Sequence, residues 1–326
     1  TGNFHGRNIL HMPFGITEFS AYRRLDSAVL KRVLGELRAK LWKVRQSREQ
    51  PKKDDKVVTS YNGLMISAFC EAAAVYLEPK YAQAAEASAQ FVKNHLYKEG
   101  KLFRRWRDGE AKYDGCLDDY AFMIQGLLSL FEIDSGVQWL EMALAFCDTL
   151  ERDFKAENGA YCLTNGQDPH LILRRCEFYD GAEPSGNAVH AENLLRLYQM
   201  TGETFYRERA ENILKAAQEH IELYPPGACY HLLALMRYYD AKAPTIIVVL
   251  GENEENREEI KKILAEKYSP HKAIIWHRES DETLRDLLPI TRLKRALSGK
   301  TTMYICYADR CLEPITDLTK MTKAFE

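Results

Sequence analysis

Four side chains in two short stretches have the types that proton-transfer chemistry needs. Asp118 and Asp119 are adjacent in Leu117-Asp118-Asp119-Tyr120, Glu183 follows Asp180-Gly181-Ala182, and His190 stands one helical turn after Asn187. Paired carboxyl groups can divide into a proton donor and a proton acceptor, as cleavage of a glycosidic bond requires, and a histidine can abstract a proton near neutral pH. Around them lie groups suited to holding a polar ring: Asn62, Arg105, Trp106, Asp114, Tyr120, Tyr179, Asp180 and Asn187. Aromatic faces stack on sugar rings, while amides and carboxylates take hydroxyl hydrogen bonds. A plainer reading stands beside this one. Ser, Asp and Asn are preferred helix caps, and an inward histidine is commonly a hydrogen-bonded core residue.

The elements that must position these groups alternate between two kinds of helix. Residues 60–77, 118–133, 185–200 and 228–239 are apolar on nearly every side, as helices buried in a core are. Each of the first three precedes a helix with one apolar stripe, at 79–96, 137–151 and 203–221. Such a repeat predicts an inner ring of buried helices and an outer ring facing water. Links from inner to outer helices are short (77–80, 134–137, 201–203), whereas the returns at 98–116 and 154–183 are long. Both long returns read as β-hairpins turning at Asp108-Gly109 and Asn165-Gly166. All long loops then gather over the N-termini of the inner helices, with the candidate residues among them. The expected fold is mainly α, an α/α toroid of helical hairpins over 1–242 that includes an amphipathic helix at 26–46 capped by Asp26. A small α/β appendix occupies 243–326, where strand-like Thr245–Gly251, Ala273–Trp276 and Met303–Tyr307 alternate with helices and suggest a parallel sheet.

The composition excludes several classes. A net charge of −2 in 326 residues gives no electrostatic case for nucleic acid or an anionic membrane, and no apolar run reaches the length of a membrane span. The eight cysteines form no C-x-x-C pair, and Cys306 and Cys311 have a poor spacing for zinc, so free thiols in a cytoplasmic protein are expected, with no metal and no cofactor. Gly251 alone after a strand, next to Glu252, is no nucleotide fingerprint.

Several stretches resemble the spermatogenesis-associated protein 20 family, whose bacterial members are described as thioredoxin-domain-containing proteins. They are Gly2-Asn3-Phe4 with Asn8-Ile9-Leu10-His11, Thr59–Met65, Leu117–Phe122, Asp180–Asn187, and Tyr304-Ile305-Cys306 with Cys311 and Pro314–Asp317. The resemblance covers nearly the whole chain and implies a toroid like that of six-hairpin glycosidases and the N-acylglucosamine 2-epimerase group. The family's thioredoxin-like domain and its cysteine motif are absent, and eight helices stand where six hairpins require twelve. The chain is therefore expected to be a fragment, or to be completed by the missing N-terminal part or a second chain. Two functions follow as expectations. One is a carbohydrate-active enzyme, a glycoside hydrolase or sugar epimerase, using Asp118, Asp119, Glu183 and His190. The other is a non-catalytic scaffold that binds a sugar or a protein segment. A thiol-redox role lacks its C-x-x-C motif.

Overall fold

A computed structural model describes residues 2–133 and 136–324. These form two compact units, 1–55 and 56–326. In the first unit α1 (Ile16–Arg23) leads to α2 (Ser27–Gln46). Asp26 caps α2 as expected, its carboxylate accepting from the Ala28 and Val29 amides, and no residue of α2 is buried.

The second unit begins with β1 (Val57–Val58) and the helical hairpin α3 (Thr59–Tyr76) and α4 (Pro79–Phe91), which ends in a π-helical turn at Val92–Leu96. Strands β2 (Tyr97–Lys98), β3 (Lys101–Arg107) and β4 (Glu110–Asp114) follow, then the hairpin α5 (Leu117–Glu132) and α6 (Val137–Asp153). The third hairpin is α7 (Gly186–Thr201) with α8 (Thr204–Ala216), extended by α9 (Gln218–Leu223), and α10 (Cys229–Tyr239) closes the helical series. Then come β5 (Thr245–Val249), α11 (Arg257–Glu266), β6 (Ala273–His277), α12 (Glu282–Leu287), β7 (Thr302–Cys306) and α13 (Leu318–Lys323).

Helices α3, α5, α7 and α10 pack side by side as the inner layer, each backed by its own outer partner where one follows. The sequence dictates this arrangement. Every residue of α5 from Asp119 to Phe131 except Gln125 is buried, which only an inner position allows. Helices α3 and α5 approach closely because both carry glycine at the crossing. A Cβ at Gly63 would lie 2.4 Å from the Phe122 carbonyl carbon, and one at Gly126 would lie 2.8 Å from the Gly63 oxygen. The layer is an open arc of an α/α toroid. Its two ends are the helices that keep apolar residues uncovered: Met65, Val75 and Tyr76 on α3, and Leu233, Met236 and Tyr239 on α10.

The first long return is the expected hairpin. Asp108 and Gly109 both adopt positive φ, the turn geometry that matches the twist of β3 and β4, and β1 and β2 pair with β3 as well. The second return, 154–183, is not a hairpin. It makes an isolated bridge between Lys155 and Tyr161 and is otherwise irregular. Side chains replace the ladder there: Arg174 donates to the carbonyls of Thr164 and Asp153, and Asn187 holds Tyr161 and the Glu177 carbonyl.

The C-terminal sheet has the order β6-β5-β7 and packs β6 against α5 and α7. It is mixed rather than parallel, since β7 runs antiparallel to β5. The long connection from β6 returns the chain to the far edge in the opposite sense. Cys306 and Cys311 are joined in a disulfide, which corrects the expectation of free thiols at these two positions. An antiparallel bridge pairs the two residues and brings their side chains together.

Candidate functional site

The inner-helix starts are held together by carboxylates that reach from one element to the next. Asp119 is fully buried; its Oδ1 accepts from the Ser60 amide at 3.0 Å and its Oδ2 from the Cys116 amide at 2.8 Å. It thus satisfies an amide at the start of α3 as well as one at its own helix. Asp118 does the same for α7, accepting from the Gly186 amide. Gly186 is needed for that approach, since a Cβ there would stand 2.4 Å from Asp118 Oδ1. Asp180 accepts from Ser185 and, through its other oxygen, from Tyr230 at the start of α10, both at 2.7 Å. The capping that the residue types predict is present, and much of it crosses between helices.

Removal from water pushes the Asp119 carboxyl up to about 6, against the pull of the Cys116 amide, Arg104 and the Ser60 amide. Burial likewise raises the pKa of Asp118; Arg104 lowers it and the charges of Glu183 and Glu177 raise it. Arg104 Nη1 lies 3.3 Å from Asp119 Oδ2. Glu183 accepts a hydrogen bond from the Tyr61 hydroxyl, which raises the tyrosine's own pKa. Glu177 pairs with Arg175 at 2.6 Å. The mouth over the inner helices therefore gathers Asp118, Asp119, Glu177 and Glu183 with Arg104, Arg175 and Tyr61. Acid exceeds base there.

Of the residues singled out in the sequence, Asp118, Asp119 and Glu183 meet at this mouth. Others are engaged elsewhere. His190 is buried with its ring edge-on to Tyr161 at 4.7 Å, and burial holds its imidazole neutral, with a pKa of about 3. Its charged neighbours are Glu151 and Arg209 rather than the aspartates. The Tyr120 hydroxyl accepts from the Leu102 amide and its ring packs on Phe146 and Phe154. Asn187, fully buried, ties Tyr161 and Glu177, while Asn62 donates to the Val58 carbonyl and accepts from Ser88. Trp106 sits against Phe91 and His95, and Arg105 lies over Tyr113. Asp114 is exposed in β4 opposite Phe103, and the half-exposed Tyr179 faces His220 edge-on. Arg104, Arg175, Glu177 and Tyr61 join the mouth without having been singled out from the sequence. Arg104 differs from Arg105 only in which way its β3 position points, which sequence leaves open in a strand of unknown register.

A second concave space lies elsewhere. A cavity of about 790 Å³ is lined by α3, α5, α7, α10 and the segment from α11 to β6. Two ion pairs stand in its wall: Glu132 with Arg196 at 3.2 Å and Glu192 with Arg237 at 2.6 Å. Gln125 donates to the Tyr230 hydroxyl in the same wall.

No protein-family model matches the chain. It is homologous over 99% of its length to spermatogenesis-associated protein 20 of Homo sapiens, with 30% identity across 338 aligned positions, and it spans 42% of that protein. An uncharacterized Caenorhabditis elegans protein is 28% identical over 99% of the chain and 45% of its own length. Among solved structures, a glycoside hydrolase family 76 mannosidase from Bacteroides thetaiotaomicron superposes on 66% of this chain and 60% of its own, with a TM-score of 0.48 and 12% identity. Cellobiose 2-epimerase from Spirochaeta thermophila covers 52% of this chain and 45% of its own at a TM-score of 0.43 and 19% identity. No helix among the described residues is long and apolar enough to cross a membrane.

Proposed function

The chain takes its place, by homology along nearly its whole length, beside spermatogenesis-associated protein 20, and from that premise we propose that its mouth is a carbohydrate site with carboxylate acid/base chemistry. The observation that carries the reading is the pairing of two unlike carboxyl groups. Asp118 is part-buried with a raised pKa, and Glu183 is exposed and held by the Tyr61 hydroxyl. A raised carboxyl keeps its proton nearer neutrality and suits the acid, which leaves the exposed Glu183 the role of base or nucleophile. Arg104 orients Asp119 and faces Asp118, so it suits a sugar hydroxyl or a developing negative charge. Asp119, enclosed and tied to the Ser60 and Cys116 amides, acts as a positioning residue, and His190 belongs to the core. The glycoside hydrolase and epimerase forms of the reaction share this acid/base pair.

Hydrolysis and epimerisation assays over mono- and disaccharides test the reading. Wild type should act on at least one sugar, with activity falling as pH rises through the Asp118 titration. Glu183→Gln should lose at least about a hundredfold in rate. A Glu183→Gln enzyme as active as wild type would overturn it.

The cavity between the inner helices supports a second reading, a non-catalytic sugar-binding module. Its volume lies within the roughly 300–1,000 Å³ typical of small-molecule sites, and the paired Glu132–Arg196 and Glu192–Arg237 groups offer donors and acceptors to a polyhydroxylated ligand. Binding without turnover, insensitive to Glu183→Gln, would favour it.

A further inference from the structure

Two of the six free cysteines lie in contact. Cys162 Sγ and Cys176 Sγ are 3.0 Å apart, within the return between α6 and α7. A disulfide bond is about 2.05 Å long, so closing it requires a movement of about one ångström. Separate ties hold the two arms. On one side the Cys162 amide donates to the Phe154 carbonyl at 2.8 Å and the Leu163 carbonyl accepts from the Leu117 amide at 2.9 Å. On the other, the Glu177 carbonyl accepts from Ser185 Oγ and from Asn187 Nδ2, both at 3.0 Å. The arms are also joined directly, the Leu163 amide donating to the Arg175 carbonyl at 2.8 Å. The backbone positions that bring the two sulfurs together are therefore held by the fold and do not belong to a loose loop.

We infer that Cys162 and Cys176 are a reversible dithiol/disulfide pair that latches this return over the inner-helix starts. The chemistry balances with a small disulfide as oxidant. The more accessible Cys176 attacks one sulfur of oxidised glutathione, releasing one glutathione thiol and leaving a mixed disulfide. Cys162 then attacks the Cys176 sulfur, forming the protein S–S bond and releasing the second glutathione thiol. Burial, with the neighbouring Cys162, pushes the Cys176 thiol up to about 12, so the thiolate is scarce near neutral pH. Oxidation is accordingly slow at pH 7 and accelerates as pH rises. The latch would fix Cys176 and hence Glu177, whose charge bears on Asp118; that consequence rests on the carbohydrate reading, whereas the disulfide itself does not.

The folded chain is equilibrated with oxidised and reduced glutathione in varied ratios, alkylated, and cleaved with trypsin. Cleavage at Arg174 and Arg175 places Cys162 and Cys176 on separate peptides, distinct from those of Cys306 and Cys311. Oxidation should yield the cross-linked Cys162–Cys176 peptide, protect two thiols from alkylation, and raise Tm by roughly 5 °C or more, all reversed by dithiothreitol. Cys176→Ser should abolish the cross-linked peptide and the Tm rise. Full alkylation of both thiols in the oxidised wild type, which needs no variant to fold, would overturn the inference. So would scrambled pairing, in which Cys162 and Cys176 each join other cysteines as readily as one another.

Discussion

The two ends of α5 present carboxylates under opposite conditions. At the C-terminal end, Glu132 faces Arg196, and across the same cavity Glu192 faces Arg237, each acid matched by a guanidinium. At the N-terminal end, four carboxylates share Arg104 and Arg175, and their other partners are backbone amides and a tyrosine hydroxyl. A matched pair settles both charges and leaves little for a substrate to change. An excess of acid at helix N-termini, where backbone dipoles favour negative charge, leaves protonation states poised to differ. Balance marks the cavity wall as architecture, and imbalance marks the mouth as the place for chemistry.

The largest effect should come from unbalancing the matched end. Arg237→Met leaves Glu192 buried without its cation and should cost about 3–5 kcal/mol in denaturant unfolding. Adding Glu192→Leu should restore most of that loss, because removing both members of a buried pair is far less costly than removing one. At the mouth, Asp119→Ala strips the acceptor from the Ser60 and Cys116 amides and should cost about 2–4 kcal/mol.

A smaller effect separates two buried titrating groups. Asp119 has a folded pKa of about 6, above the ordinary 3.8 of an aspartate, so the folded state binds its proton more tightly. That contribution is fully present below the lower value and is lost as pH rises through the higher one. His190 is depressed from 6.5 to about 3, so its contribution is present above 6.5 and is lost as pH falls toward 3. The two slopes oppose each other between pH 4 and 6. Subtracting the stability curve of Asp119→Asn from that of wild type isolates the aspartate, and the difference should move against wild type by about 1–2 kcal/mol as pH rises across that interval. A flat difference would show that Asp119 does not titrate there. The smallest change in stability belongs to Asp118→Asn, within about 1 kcal/mol, since the substitution removes a charge whose burial is unfavourable.

Much of the fold was legible in the sequence, whereas the matched pairs Glu132–Arg196 and Glu192–Arg237 were not. The alternation of all-apolar and one-sided helices gave the layers because burial leaves a direct mark on composition. Asp108-Gly109 announced its hairpin because few residue pairs accept positive φ twice. Asn165-Gly166 carried a similar local signal, yet the return around it is organised by Arg174 and Asn187, whose partners are distant in sequence. Asp118 and Asp119 were readable as helix-start residues. That they cap the neighbouring helices α7 and α3 follows from packing at Gly186, Gly63 and Gly126, which residue type alone does not encode. His190 looked like a candidate base because it stands one turn inside a helix start, and only the neighbouring elements show that its face is the core. Cys306 and Cys311 were unreadable as a pair because a spacing of five joins them only through the turn that follows β7.

The most direct measurement titrates the same panel of mono- and disaccharides into wild type, Asp118→Asn and Glu192→Gln by calorimetry, with circular dichroism to establish that each is folded. A sugar bound by wild type should lose at least tenfold in affinity with Asp118→Asn and be held unchanged by Glu192→Gln. Affinity lost with Glu192→Gln and kept with Asp118→Asn would contradict it, moving the site from the mouth to the cavity between the inner helices.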